Sequence, residues 1–362
     1  MTTPHKTMPP QRTPARKVDF GRPVLTLRRG RLAARLEWRT LVVCAALVAA
    51  VAAVALLALM TGSYRLGVTQ VLSALTGGET GLVHEIVVEW RLPRVAATVV
   101  FGAALGVSGA MFQSLMRNPL ASPDVIGFSS GSYTGALIVI LAVRGSYLQV
   151  AAGALLSGMA TAVLVYLLAY RRGVRGFRLI IIGIGVTAML GSVNTWLMLT
   201  ADLDAAMSAA AWGAGSLNGV SWDQVLVGGA GIAVLLVPAG MLGRPMRQME
   251  LGDDAAAAQG VQVTAARLGL IVVGVALTAT VTAASGPIAF VALAAPQIAR
   301  RLARAAGIPL APAAFVGALL LGVADFSAQH VVPTPLPVGI VTVMIGGCYL
   351  GYLLFLEARR RL

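Results

Sequence analysis

Few side chains in this chain could do chemistry, and what is missing narrows the function first. A phosphate-gripping P-loop needs a lysine directly after glycine; the two lysines here, Lys6 and Lys17, follow His5 and Arg16. Any nucleotide hydrolysis must therefore come from another polypeptide. No His, Cys or carboxylate cluster has metal-ligand spacing, so no metal site, no bound cofactor and no covalent catalysis are expected. Asp325 and His330 form a titratable pair at the end of an apolar stretch. They admit a proton relay of the kind that drives secondary carriers, or simply a polar helix end.

Three other constellations have meaningful spacing. Arg91 and Arg94 stand three apart at a helix start and so share one face. Glu250 to Val261 reads as a short helix of its own, with Asp253 and Asp254 at its positive end and Gly260 as its stop. Its small residues would let a partner approach closely; an amphipathic helix lying at the membrane interface is the other reading. Thr187, Gly191, Asn194 and Met198 fall at i, i+4, i+7 and i+11, one polar and small stripe on an otherwise apolar helix. That stripe is a candidate wall for a translocation path, and helix packing would tolerate it equally.

The elements that hold these residues are membrane helices. With 57% hydrophobic and 12% charged residues, the chain lies outside the soluble globular range. Uncharged runs of about 20 residues cross a hydrocarbon core of about 30 Å as helices. Ten spans are predicted, near 41–61, 95–116, 125–143, 146–170, 179–201, 224–243, 268–285, 287–299 (continuing to about 303), 308–330 and 337–356. Ser285-Gly286-Pro287 splits the charge-free stretch from Leu268 to Ala299 into a hairpin, with Pro287 in the first turn of the second arm.

Placing the N-terminus inside puts 24 of the 28 Lys and Arg in cytoplasmic segments and leaves Arg65, Arg91, Arg94 and Arg144 outside. Both termini are then cytoplasmic. The outer cations at 91 and 94 run against that bias, which points to a purpose or to headgroup anchoring by snorkelling. Residues 1–40 are Pro- and Arg-rich and read as a flexible basic tail ahead of a transmembrane domain at 41–362. The net charge of +14 is spread over inner loops and tail, which fits anionic membrane lipid and not nucleic acid. Cys44 and Cys348 fall in the first and last spans as packing or lipid-facing residues, while Gly102/Gly106 and Gly347/Gly351 allow close helix approach.

Several blocks then stand in a fixed order. They begin with Arg91-Leu92-Pro93-Arg94, Gly102-Ala103-Ala104-Leu105-Gly106, Ser108-Gly109 with Gln113, and Arg117-Asn118-Pro119-Leu120-Ala121-Ser122-Pro123-Asp124 with Ile126-Gly127. Leu251-Gly252-Asp253, Gly260-Val261 with Arg267, Gly286-Pro287-Ile288-Ala289-Phe290-Val291, Ala295-Pro296, Ala299-Arg300, and Leu336-Pro337-Val338-Gly339 with Gly346 follow. Over roughly residues 60–356 this pattern resembles the FecCD family, the permease subunits of ABC importers for iron-siderophores, haem and vitamin B12. Gln297, Gln329, Pro335 and Cys348-Tyr349 depart from the commonest family pattern. With Asn118 to Asp124 and Trp212 to Trp222, they look most like the G-type subunit of ferric-enterobactin-like permeases.

The resemblance implies an all-α polytopic fold of about ten transmembrane helices, the type II ABC importer permease fold. It implies a plasma-membrane (cell inner membrane) subunit for ATP-driven import of ferric-siderophore complexes. Implied partners are separate ABC ATPase subunits, which bind the ATP, a second homologous permease subunit of different sequence, and an outer solute-binding protein. Leu251, Gly252, Asp253, Ala255, Ala258 and Gly260 would form an ATPase-coupling helix at about 250–261, and Arg91 with Arg94 would receive acidic residues of the binding protein. The stripe from Thr187 to Met198 lies on a span that lines the central path in the family. Asn118, Pro119 and Pro123 form a motif loop, which in residue terms is a turn followed by a Ser122 N-cap, a first-turn Pro123 and Asp124 at the positive helix end. Gln329 leaves a third outer docking cation in doubt. Haem or a corrinoid is the alternative cargo within the family; a proton-coupled carrier is the alternative of a different class.

Overall fold

The computed structural model describes residues 24–29, 32–169, 176–331 and 333–361. It separates into two units, Met1–Val42 and Val43–Leu362. In the first, strand β1 (Val24–Arg29) pairs antiparallel with β2 (Leu32–Glu37), Val24 opposite Glu37 and Arg29 opposite Leu32. These two stretches lie within the 1–40 segment read from sequence as a flexible tail. They are six-residue runs separated by two residues that include Gly30, a hairpin signal that the high arginine content masks. Residues 1–23 lie outside the described residues.

The helices are α1 (Trp38–Met60), α2 (Val68–Leu75), α3 (Leu82–Met116), α4 (Phe128–Val143), α5 (Tyr147–Ala169), α6 (Gly176–Thr200) and α7 (Leu203–Gly213). They are followed by α8 (Trp222–Glu250), α9 (Asp253–Ala258), α10 (Val263–Ser285), α11 (Val291–Ala303), α12 (Leu310–His330) and α13 (Val338–Arg361). Among the described residues, α1, α3, α5, α6, α8, α10 and α12 are long and apolar enough to cross a membrane, and α4 and the Val338–Tyr352 part of α13 are shorter apolar helices. With α11 they occupy the positions of the ten expected spans.

Helix α3 is the centre of the packing. Its residues from Phe101 to Ser114 are buried with the exception of Ala103, because α8, α10, α11 and α12 all lie against it. Such contact needs small residues: a Cβ at Gly106 would sit 2.1 Å from the Ala313 carbonyl oxygen on α12, and one at Gly109 would sit 1.7 Å from that of Ala292 on α11. Backbone therefore meets backbone, which is how membrane helices gain packing without a hydrophobic drive between them. Gly347 and Gly351, in contrast, have no atom within 4 Å of a Cβ position, so that second glycine pair brings no helix close within this chain. Cys44 is half-buried and Cys348 exposed, both as free thiols.

The hairpin after α10 differs from the expected one. Helix α10 ends at Ser285, and α11 starts at Val291, with Phe290 as its cap in the left-handed region at φ 67°. Pro287 is thus outside the helix and not in its first turn. The cause is tertiary: the Ser216 N–H donates to the Ser285 carbonyl at 2.8 Å, and this holds the 214–217 loop across the break. Helix α11 has 13 residues and rises about 20 Å, so it cannot cross a core of about 30 Å alone.

Candidate functional site

The segment linking α8 to α10 is held by a set of charged and polar contacts from several helices. Gly252 sits at φ 122°, a conformation that a side chain would strain, and this turns the chain sharply off α8 into α9. Asp253 and Asp254 occupy the first turn of α9, where carboxylates suit the free N–H groups. At the other end the Val261 N–H donates to Ala256 O at 3.0 Å and the Gly260 N–H to Ala257 O at 2.9 Å. With Gly260 at φ 84°, this is a Schellman stop.

Two arginines from neighbouring helices clamp the start of α9. Arg117, the left-handed cap of α3, donates from Nε to Met249 O at 2.9 Å and from Nη2 to Asp253 Oδ1 at 2.6 Å. Arg267 on α10 donates from Nη2 to Asp253 Oδ2 at 2.6 Å. Burial pushes the Asp253 carboxyl up, but the hydrogen bonds and charges of Arg267 and then Arg117 outweigh it and hold the group below the usual carboxylate range. Three residues earlier, Glu250 Oε1 accepts from Ser114 Oγ at 2.8 Å and from the Ile308 N–H at 3.3 Å. Helices α3, α8 and α10 and the turn before α12 therefore all converge on α9.

What α9 presents outward follows from this anchoring. Ala256 is fully buried in the cluster that includes Met249 and Ala266. Leu251, Asp254, Ala257, Ala258, Gln259 and Gly260 are exposed, while Gly252, Asp253 and Ala255 are half-buried. Leu251, 72% exposed, is an apolar side chain left out of the core beside a small-residue surface. Of the residues named from sequence, Leu251, Ala258 and Gly260 face out and Asp253 holds the base. Ala257 was not named and faces out with them.

At the opposite end of α3, the two arginines named from sequence are turned inward. Arg94 makes a bidentate pair with Asp325 on α12, Nε to Oδ2 at 2.8 Å and Nη2 to Oδ1 at 2.7 Å, with side-chain exposures of 19% and 7%. Arg91 donates to Leu59 O and Tyr64 O, each at 2.6 Å. These contacts replace the expected pair of exposed docking cations: both guanidiniums tie helices of this chain together. They also remove the Asp325–His330 relay, because Asp325 is taken by Arg94, and His330 contacts Phe326 O through Nδ1 at 2.8 Å and stacks on the Phe326 ring. Gln329 donates to Asn218 Oδ1 at 3.0 Å.

The stripe on α6 also faces a neighbour. Asn194 accepts from Thr134 Oγ1 at 2.7 Å and is 7% exposed, and Met198 Sδ accepts from Tyr133 Oη at 3.7 Å. Thr187 lies against Gly127, its hydroxyl buried without a partner. Three of the four stripe residues therefore pack on α4 or the turn before it, since polar groups in a membrane helix seek a partner helix in preference to lipid; Gly191 has open space at its Cβ position. The open face of α6 instead carries Gly185, Ala188, Ser192 and Thr195 between Met189, Trp196 and Leu199.

In the motif loop, Asn118 Oδ1 accepts from the Leu120 N–H at 3.0 Å, and Pro123 opens a short 3-10 turn, Pro123–Ile126, ahead of α4. Ser122 makes no side-chain cap. Asp124 accepts from Ser129 Oγ, at the start of α4. Among the described residues no group of three or more His, Cys, Asp or Glu could hold a metal ion.

Comparison with known proteins agrees with this architecture. The chain is 48% identical, over 89% of its length and 98% of the relative, to the ferric enterobactin transport system permease protein FepG of Escherichia coli (strain K12). It is 36% identical to the achromobactin transport system permease protein CbrC of Dickeya dadantii (strain 3937), over 91% of this chain and 96% of that one. A solved structure described as an inward-facing conformation of a metal-chelate type ABC transporter superposes with a TM-score of 0.75 at 26% identity, covering 87% of this chain and 99% of the other. Residues 49–355 match the FecCD transport family, and the chain belongs to that family.

Proposed function

We propose that this chain is one permease subunit of an ATP-driven importer of ferric-siderophore complexes, in which α9 seats a separate ATPase subunit. The observation that carries the reading is the clamp on Asp253. Two arginines from α3 and α10 fix the base of a short helix whose outer surface is Leu251, Ala257 and Ala258, so a push on that surface is delivered to α3, the helix against which most of the bundle packs. The relatives named for ferric enterobactin and achromobactin transport support iron-siderophore cargo.

The chain itself performs no covalent chemistry and binds no cofactor. On the ten-span reading both termini and α9 lie on the cytoplasmic side, and the excess of basic residues on those segments supports it. The open face of α6, with Ser192 and Thr195, lines the path together with a second, different permease subunit, and a solute-binding protein delivers cargo at the outer face. The test is uptake into proteoliposomes of a ferric catecholate siderophore. Uptake is expected to need the ATPase subunit and ATP and to persist when the proton gradient is collapsed. Gradient-driven uptake without ATP would reject the reading, and uptake of haem or a corrinoid in place of the siderophore would reject the cargo.

A further inference from the structure

We propose that the polar cleft beside α9 is a second seat for the ATPase subunit, built to take one of that protein's acidic side chains on Arg300; this rests on the reading of the α9 face given above. The cleft has a volume of about 200 Å3 and is lined by Gln113, Arg117, Glu250, Gln297, Arg300 and Ile308 among others. Its floor is two buried amides, Gln113 and Gln297, at 1% and 3% exposure. Gln113 Nε2 donates to Leu293 O at 2.8 Å, and Gln297 Nε2 donates to Gln113 Oε1.

The charged groups of the cleft are unequally satisfied. Arg117 is occupied by Met249 O and Asp253, and Glu250 Oε1 by Ser114 and Ile308. Arg300 is not. Half-buried at the end of α11, its guanidinium makes one hydrogen bond among the described residues, from Nη2 to the neutral Gln297 Oε1, at 3.3 Å. A guanidinium has five donors in a planar fork, and 3.3 Å is long for an N–H bond. The remaining donors at the cleft suit a carboxylate, which accepts two parallel bonds from such a fork.

Size and position identify the source of the anion. A cleft of about 200 Å3 is far above the ~10–15 Å3 that a single water needs and has room for one acidic side chain. Arg117 and Glu250 belong both to the cleft and to the anchoring of α9, so a protein seated on α9 covers the opening. None of the exposed large apolar side chains of the bundle lines it, which sets it apart from the surfaces that meet lipid acyl chains.

The experiment titrates the ATPase subunit onto the full-length permease in nanodiscs of pure phosphatidylcholine, and again with phosphatidylglycerol added. Arg300→Gln, which can keep the contact to Gln297, is expected to weaken binding about tenfold or more. Arg300→Glu is expected to weaken it further, in both lipid compositions and with an unchanged thermal midpoint, and raised salt should weaken wild-type binding. An acid-to-arginine change in the ATPase that restores affinity to Arg300→Glu would identify the partner carboxylate. If Arg300→Gln binds as wild type while Leu251→Asp abolishes binding, the cleft is not a seat and the α9 reading stands. If neither variant alters binding, the reading of the whole face fails. An Arg300 effect confined to phosphatidylglycerol discs would make the ligand a lipid headgroup and overturn the proposal.

Discussion

Replacing Asp253 by alanine removes the shared partner of two guanidiniums and isolates the clamp from the rest of the fold. The Arg117–Asp253 pair is 2.6 Å long, but its side chains are 45% and 43% exposed, and solvent screening holds such a pair to about 0.5 kcal/mol. The Arg267–Asp253 pair has the same length, and Arg267 is 18% exposed; a charge-assisted bond in that setting contributes about 1 to 1.5 kcal/mol. Together they give about 1.5 to 2 kcal/mol, which lowers the population of properly seated α9 about 10- to 30-fold. Hydrogen exchange reads this directly. The Ala256 and Val261 amides, bonded to Gly252 O and Ala256 O, should lose protection by that factor in Asp253→Ala, while amides in the buried middle of α3 keep theirs. Unchanged protection at Ala256 and Val261, or an equal loss across α3, would refute the reasoning. The sign of the pH effect follows from the lowered pKa of Asp253. The stabilisation is complete above the ordinary carboxylate pKa of about 4 and is lost only as pH falls through the depressed value. Protection of these amides should therefore show no contribution from Asp253 titration between about pH 6 and about pH 8.

Three further outcomes are expected. Gly109→Leu forces α3 away from Ala292 on α11 and should lower the thermal midpoint in detergent by an amount corresponding to about 3 kcal/mol or more; an unchanged midpoint would mean the two backbones are not in contact. Arg94→Ala leaves Asp325 unpaired at 7% side-chain exposure and should cost about 2 to 4 kcal/mol, with the exchanged pair Arg94→Asp/Asp325→Arg recovering part of it; equal stability of Arg94→Ala and wild type would contradict the bidentate contact. Leu251→Asp should leave the thermal midpoint within about 0.5 kcal/mol of wild type and still abolish ATPase-subunit binding in a pull-down, whereas retained binding would remove Leu251 from the interface.

The spans were legible because their signal is length and composition, and neither depends on neighbours. The segment read as a helix from Glu250 to Val261 holds the six-residue α9, Asp253–Ala258, and its signals Gly252, Asp253 and Gly260 all act within that short stretch. The side-chain assignments that failed are tertiary. Arg94 and Asp325 are 231 positions apart, and no local pattern announces that they meet, so the span count put both arginines outside and the family resemblance gave them a docking role. On the α6 stripe, Asn194 and Met198 bond to Ser130, Tyr133 and Thr134 of α4, contacts that periodicity along one helix cannot reveal. Phe290 replaced Pro287 at the start of α11 because the 214–217 loop crosses the break. Arg117 and Arg267 did carry a readable sign, opposite in charge to Asp253 and on the two segments that flank it in the bundle.

The most direct measurement places a single cysteine at Ala258, in a background with Cys44 and Cys348 replaced by alanine, and asks which protein and which membrane face it meets. The account predicts a disulfide or short thiol cross-link from position 258 to the ATPase subunit, blocked by thiol reagents that enter the cytosol and insensitive to impermeant reagents added outside the cell. Labelling of position 258 by an impermeant reagent in intact cells, with no cross-link to the ATPase, would contradict it.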